Sequence, residues 1–471
     1  MDAIKIIKNS LYVSGVQLAT MLFGMIKTFL IPKMLGVIGF GWWQYYLLWV
    51  GYVGLFALGF NDGFYLKYGG YDYNQLPKSK LSNSLWVFAL VELIISLLFA
   101  LVVCLFSEAD KSLVLLAVSV NIPLHGIKGF FIYVFQVTNR IKRYSFYSLI
   151  DRFLFLIIVG LFYGIGVTNY WIIISLDITS QLFVIFMMMT TCRDLLMGYS
   201  ISLKDGINEF KDNIKIGSKL MIALFSATFA AGLTKLFVEH YQGIEDFSCY
   251  AFATASTSVI NLFISGLATI AYPTLARLDK NSYDKYFTLI DRFISIIAFG
   301  SFLIYPLLVI FINSYFHEYS RCLEYYPLVV CSIFLYAKVS LVINTFYKAM
   351  RQETTMLFVN ISQCLLLIVL MFVFNAFKPG VKSVVIASVT SIFLIYTYSK
   401  IYLSNILNCW NKVDFLLEIL GMGIFILAVH NGGIISATIY FLYFVALLFC
   451  RRNLLVTIYS KISYNHSKGK K

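Results

Sequence analysis

Four lysines, Lys27, Lys128, Lys235 and Lys338, stand inside apolar runs long enough to cross a bilayer. An ionised side chain at mid-bilayer costs roughly 3 kcal/mol on insertion scales, so such residues usually face a bundle interior or a wet cavity. They fall on the first, fourth, seventh and tenth runs, at matching positions of two halves of the chain, which points to one shared central cavity. A ring of cations there suits an anion. For Lys27 and Lys235, near the outer ends of their runs, the competing reading is an ammonium that reaches up to the headgroups. Lys128 and Lys338 lie deeper, where that escape is harder.

Glu92 and Asp177 are the carboxylates read as well inside runs. Each could relay a proton, bind Na⁺ or neutralise a nearby lysine. His125, about one turn before Lys128, could titrate near neutral pH or be a packed ring. These three are the ion-coupling candidates. Pro123, Gly126 and Gly129 in the fourth run, and Pro306 in the ninth, could let helices bend. Trp42, Trp43, Tyr45, Tyr46 and Trp49 read as an interfacial aromatic belt, and no site is drawn from them. No phosphate-binding glycine loop, nucleophile elbow or H-E-x-x-H pattern occurs, and the 8 cysteines form no C-x-x-C pair. The chain is therefore expected to be no enzyme, with no catalytic residue, no metal and no cofactor.

The elements that must position these residues follow from composition. Of 471 residues, 60% are hydrophobic and 13% charged, with a mean hydropathy of +0.81, whereas soluble domains carry roughly 25% charged residues. A transmembrane β-barrel is excluded because the runs do not alternate. The expected fold is all-α, a polytopic transmembrane helical bundle of about 14 spans. The first seven cover 11–32, 41–61, 84–106, 112–136, 145–166, 169–190 and 216–238, with ends good to about three residues. The rest cover 247–271, 287–312, 325–347, 354–375, 382–403, 413–430 and 432–450, to the same roughly three residues. The run after Lys5 and Lys8 lacks a cleavage-type site and is expected to remain as the first span.

Most of the 37 Lys and Arg residues fall in loops that are inner if the N-terminus is cytoplasmic, such as Asn139 to Arg143 and the tail from Arg451. That bias places both termini in the cytoplasm. A net charge of +14 spread between apolar runs is no nucleic-acid face. The loops around Glu108 and Asp110, Glu239 to Asp246 and His317 to Glu324 are then outer ones. A repeat is also visible. Lys27-Thr28-Phe29 answers to Lys235-Leu236-Phe237, while Lys128 lies twelve residues before Arg140 and Lys338 thirteen before Arg351. Two pseudo-repeated six-helix lobes, 1–200 and 201–405, plus two C-terminal helices and a basic tail, 406–471, follow from this pattern.

Four stretches carry a family resemblance: Ile31-Pro32-Lys33-Met34-Leu35-Gly36 followed by Gly39 to Gln44; Gln136 to Tyr144 leading into Ile150-Asp151-Arg152; Ile214-Lys215-Ile216-Gly217; and Ala271-Tyr272-Pro273-Thr274-Leu275-Ala276-Arg277. In this order the chain resembles the Wzx-like polysaccharide flippases of the multidrug, oligosaccharidyl-lipid and polysaccharide exporter superfamily. The resemblance implies a V-shaped pair of six-helix lobes with two extra helices. It also implies alternating access that carries an undecaprenyl-diphosphate-linked oligosaccharide from the inner to the outer leaflet of a bacterial inner membrane, for O-antigen (lipopolysaccharide) or capsule synthesis. Membrane lipids, H⁺ or Na⁺ in antiport, and other polysaccharide-assembly proteins are the implied partners. Lys27, Lys128, Lys235 and Lys338 map by position onto the family's cavity cations. Lys235 stands where many relatives place an arginine, and a lysine meets phosphate as a point charge without the bidentate fork.

Two other readings compete. A multidrug or small-cation antiporter of the same superfamily favours a cavity rich in acids and aromatics, against the four lysines and two acids counted here. A membrane polysaccharide polymerase or acyltransferase needs a catalytic loop at one face, and the outer loops are short.

Overall fold

The computed structural model describes residues 3–197, 202–275, 279, 282–431 and 433–452. Ala276 and Arg277 of the fourth family stretch, and the basic tail beyond Arg452, lie outside the described residues. The described residues are helical almost throughout, with no strand among them. They divide into two compact units, Met1–Leu236 and Phe237–Lys471.

The first unit holds α1 (Ala3–Val50), α2 (Phe60–Tyr68), α3 (Lys78–Phe106), α4 (Ala109–Val137), α5 (Ile141–Gly164), α6 (Tyr170–Thr191) and the short α7 (Arg193–Leu196). It also takes most of α8 (Leu203–Gln242). The expected runs 11–32 and 41–61 are not parted by a loop. Helical backbone continues between them and breaks at Gly36, with φ 65° and ψ −176°, a conformation that essentially only glycine adopts. The second run then closes through a 3₁₀ turn, Val53–Ala57.

In this unit α4 packs against α1, α2, α3, α5 and α6. The meeting of α2, α3 and α4 is aromatic: Phe60 of α2 stacks on Phe88 of α3 at 4.3 Å between centroids, and Phe64 of α2 lies 5.0 Å from Phe130 of α4. The polar start of α8 lies against α2 where neither helix has a side chain to spare. A Cβ on Gly63 would overlap the Asn213 carbonyl, and one on Gly217 the Gly59 carbonyl. Beside that seam the Lys67 ammonium donates to both Glu209 oxygens, at 2.8 and 2.9 Å, and Tyr68 donates to the same carboxylate at 2.8 Å.

The second unit holds α9 (Ile244–Leu275), α10 (Tyr283–Phe302), α11 (Tyr305–Tyr315), α12 (Tyr326–Ala337), α13 (Asn344–Ala349), α14 (Glu353–Phe377), α15 (Val381–Ile406), α16 (Lys412–Asn431) and α17 (Gly433–Cys450). Here α12 is central, touching α9, α10, α15 and α16. A π-helical turn, Lys338–Ile343, joins it to α13. A π turn holds one residue more than the α turn it replaces, which matches the thirteen-residue spacing from Lys338 to Arg351 against twelve from Lys128 to Arg140. Both basic loops also turn through a left-handed residue, Asn139 (φ 55°) and Arg351 (φ 60°).

Among the described residues ten helical stretches are long and apolar enough to cross a membrane, with Leu18–Ala57 counted as one and Ala437–Cys450 a shorter apolar helix. The expected runs 216–238 and 247–271 fall within α8 and α9. The chain is a multi-pass, all-helical membrane protein.

Candidate substrate-binding site

The first unit gathers charged and polar side chains from four helices. On α4, Asn121, His125 and Lys128 succeed one another at helical spacing and so share a face. Lys128 Nζ donates to Asp151 Oδ2 on α5 at 2.8 Å, with each side chain about one-fifth exposed (22% and 21%). On α6, Asp177 and Gln181 lie one turn apart. The Asp177 carboxylate accepts from the Tyr46 hydroxyl of α1 at 2.8 Å and from Gln181 Nε2 at 2.9 Å. Asn121 closes the network, donating to Tyr46 at 2.8 Å and accepting from Gln181 at 3.0 Å.

Lys27 meets this network from α1. Its ammonium lies 5.1 Å from the Trp43 ring centroid and 4.7 Å from that of Phe155. Those two rings stack on each other at 5.7 Å. Desolvated cations over aromatic faces gain on the order of 2 kcal/mol, so the rings can carry the ammonium without a carboxylate in contact. Asp177, Arg152, Asp151 and Lys128 are its charged neighbours. The set therefore contains three cations and two carboxylates, a net excess of one positive charge. Lys27 and Lys128 both keep accessible surface, so a ligand can reach them.

The other expected residues are placed differently. His125 keeps accessible surface and lies near Gly54, its Cε1 3.6 Å from where a Cβ on that glycine would stand. Glu92 is 1% exposed, and neither of its oxygens has a hydrogen-bond partner. It is not in the Lys27 network. Lys235, on α8, is half-buried and makes no ion pair or hydrogen bond among the described residues.

Lys338 belongs to the second unit and is fully buried. Its ammonium donates to Asp291 Oδ1 at 2.5 Å and to Glu418 Oε1 at 2.6 Å. Lys400 bridges the same two acids, at 3.0 Å to Asp291 Oδ2 and 2.6 Å to Glu418 Oε2. Tyr396 and Ser295 also donate to Glu418, at 2.6 and 2.9 Å. Two cations and two anions balance, so the Lys338 charge is neutralised where it stands. Asp291, Lys400 and Glu418 are absent from the sequence reading, and each stands near an end of its expected span, where a charge needs no special partner. The available signal was that Asp291 and Glu418 both lie inside the bounds of expected spans.

An apolar cavity of about 770 Å³ opens in the same unit, lined among others by Phe302, Tyr305, Pro306, Phe425, Tyr440 and Phe441. No group of three or more metal-ligating side chains exists among the described residues.

The site thus belongs to a multi-pass, all-helical membrane protein with an ionic network in each of its two units. The chain belongs to the polysaccharide biosynthesis protein family, whose model matches residues 6–279. Among solved structures it is similar to the lipid II flippase MurJ in an inward closed conformation, with a TM-score of 0.67 and 15% identity over 94% of this chain and 100% of that one. It is also similar to an inward-facing multidrug resistance MATE family transporter of the MOP superfamily, with a TM-score of 0.54 and 12% identity over 83% of this chain and 95% of that one. At these identities the likeness is one of fold. Comparison with curated protein sequences gave no match.

Proposed function

We propose that the protein flips an undecaprenyl-diphosphate-linked oligosaccharide from the inner to the outer leaflet of a bacterial cell membrane by alternating access, with both termini cytoplasmic. The observation that carries this reading is the excess positive charge of the Lys27, Lys128, Arg152, Asp151 and Asp177 set on helices long and apolar enough to cross a membrane, with Lys27 and Lys128 partly exposed. A diphosphate cannot cross hydrocarbon unaided, and fixed cations lower that barrier. Lys128 exchanges its hydrogen bond to Asp151 for one to phosphate, while the aromatic rings keep Lys27 oriented. Lys235, which has no charge partner among the described residues, is a second contact for the headgroup. The apolar cavity between α10, α11, α16 and α17 suits a hydrocarbon chain. Membership of a polysaccharide biosynthesis family favours this over export of small cations, which a net-positive site repels.

The test is translocation of a labelled undecaprenyl-diphosphate oligosaccharide in proteoliposomes by the intact protein and by Lys27→Ala and Lys128→Ala variants. A charge-assisted hydrogen bond contributes about 1.5–3 kcal/mol, so each variant should lose on the order of 10- to 100-fold in rate. Unimpaired flipping by both variants removes the cationic set from the mechanism. No flipping by the intact protein, with export of an organic cation instead, restores the antiporter reading.

A further inference from the structure

The middle of α4 is a weakened helix held by its neighbours. Pro123 has no N–H, so the Ser119 carbonyl loses the donor it would have four residues on. Ser96 of α3 supplies the missing bond, its hydroxyl donating to Ser119 O at 2.7 Å. One turn further along α4, Asn61 Nδ2 of α2 donates to the Gly126 carbonyl at 3.0 Å. At Gly126 α3 leaves no room for a side chain, because a Cβ there would stand 2.7 Å from Glu92 Oε1 and 2.9 Å from the Phe88 ring. Glu92, one turn before Ser96, thus presses its carboxyl on the bare backbone of the α4 hinge.

Among the described residues nothing donates to that carboxyl. Both oxygens are sealed from solvent and without a partner. The titratable groups on the elements packed around it are otherwise engaged or out of reach. On α4, Lys128 is bound to Asp151 and His125 makes no hydrogen bond to Glu92; on α2, Asp62 accepts from Tyr133 and Lys67 is bound to Glu209. On α7, Asp194 is bound by Lys78, which begins α3, and the 3₁₀ turn Val53–Ala57 carries no titratable side chain. Among the described residues none of these groups forms an ion pair or hydrogen bond with Glu92. A carboxylate sealed without a donor or counter-charge is strongly disfavoured against the neutral acid. A metal ion is no substitute for the proton, since hard cations need several oxygen ligands and a phenyl ring and a glycine face this group.

We propose that Glu92 is a proton-binding site of this protein, loaded in the present conformation, and that its proton leaves when the α3–α4 seam opens at Gly126. On release the O–H bond breaks, the electron pair stays on the carboxylate, and the proton passes to water entering the seam. The seam opens by bending α4 at Pro123 and Gly126, which moves Lys128, two residues beyond Gly126, relative to Asp151. Proton release is thereby tied to the cation that meets the substrate, and in that respect the proposal rests on the flippase reading.

Two measurements test it. Infrared difference spectra of the purified protein in lipid at neutral pH, Glu92→Gln against the intact chain, should show loss of one protonated-carboxyl C=O band. Glu92→Asp, which keeps the acid, should retain such a band. If the intact protein shows no band that Glu92→Gln removes, the carboxyl is ionised and the proposal falls. In proteoliposomes carrying the labelled undecaprenyl-diphosphate oligosaccharide, an imposed proton gradient should accelerate flipping by the intact protein and by Glu92→Asp. Glu92→Gln should lose the acceleration and keep gradient-independent exchange. Full gradient response in Glu92→Gln overturns the coupling. If the intact protein flips nothing, the flippase reading fails, and the infrared band still decides whether Glu92 holds a proton.

Discussion

Removing Glu418 should unbalance the buried ion cluster of the second unit and cost more stability than any surface ion pair. Its carboxylate is 1% exposed and accepts four hydrogen bonds, from Lys338, Lys400, Tyr396 and Ser295. Glu418→Gln leaves two buried ammonium groups facing Asp291 alone, an excess of one positive charge with no water to solvate it. Breaking one partner out of a buried pair costs about 3–5 kcal/mol, two or more powers of ten in the unfolding equilibrium. Lys400→Met alone leaves the opposite excess and should cost a similar amount. The double variant restores balance, with Lys338 still on Asp291 at 2.5 Å. Its loss should therefore fall short of the sum of the singles by about 2 kcal/mol or more. The assay is thermal unfolding in detergent followed by a thiol-reactive dye, because Cys249, Cys322 and Cys331 are buried reduced cysteines of the same unit. Single variants within about 0.5 kcal/mol of the intact protein, or strictly additive losses, would refute the charge-balance argument.

Three further outcomes are expected. Gly63→Leu places carbon against the Asn213 carbonyl, and overpacking of this kind costs about 1–3 kcal/mol; a midpoint equal to that of the intact protein in the same melt would show that α2 and α8 can part freely. Lys235→Met should raise the melting midpoint, because it removes a half-buried cation that has no ion partner among the described residues, while flipping falls; a gain in both would leave Lys235 without a functional role. Asp194 lies outside the spans, where burial alone would raise its carboxyl, but hydrogen bonds from Lys78 and Tyr73 and the Lys78 charge hold it below its usual 3.8. Its contribution is therefore fully present above that value and lost as pH falls through the lower folded value. At 38% side-chain exposure it amounts to under about 1 kcal/mol, and Asp194→Asn should flatten the stability profile only below about pH 4, with an unchanged acid limb counting against the pair.

Helices were legible in the sequence because hydrocarbon imposes a single rule on the backbone, that every N–H and C=O be satisfied within the segment. A run of apolar residues is then enough to locate α3, α4, α5 or α6. The link between the first two runs was not legible as helix, since the apolar runs stop at 32 and resume at 41 while the backbone keeps its helical course up to the break at Gly36. That Lys27, Lys128, Glu92 and Asp177 stand on long apolar helices followed from the same hydropathy. Their partners did not, because ion pairs join residues far apart in sequence: Lys128 finds Asp151 on the next helix, but Lys338 finds Glu418 eighty residues away. Only the packing of α10, α12, α15 and α16 decides that meeting.

That difference bears on which buried charges can act on a ligand. In the second unit every carboxylate oxygen of Asp291 and Glu418 already meets a donor, so a ligand would have to break an ion pair to enter, and the cluster is better suited to holding α16 on α10 and α12. In the first unit the cations outnumber the acids, and Lys27 rests on ring faces that ask for no anion in return. An unbalanced site is costly to keep in a membrane unless an anion visits it. Glu92 presents the opposite case, an acid with no hydrogen-bond donor among the described residues, and under the proposal above a proton balances it in place.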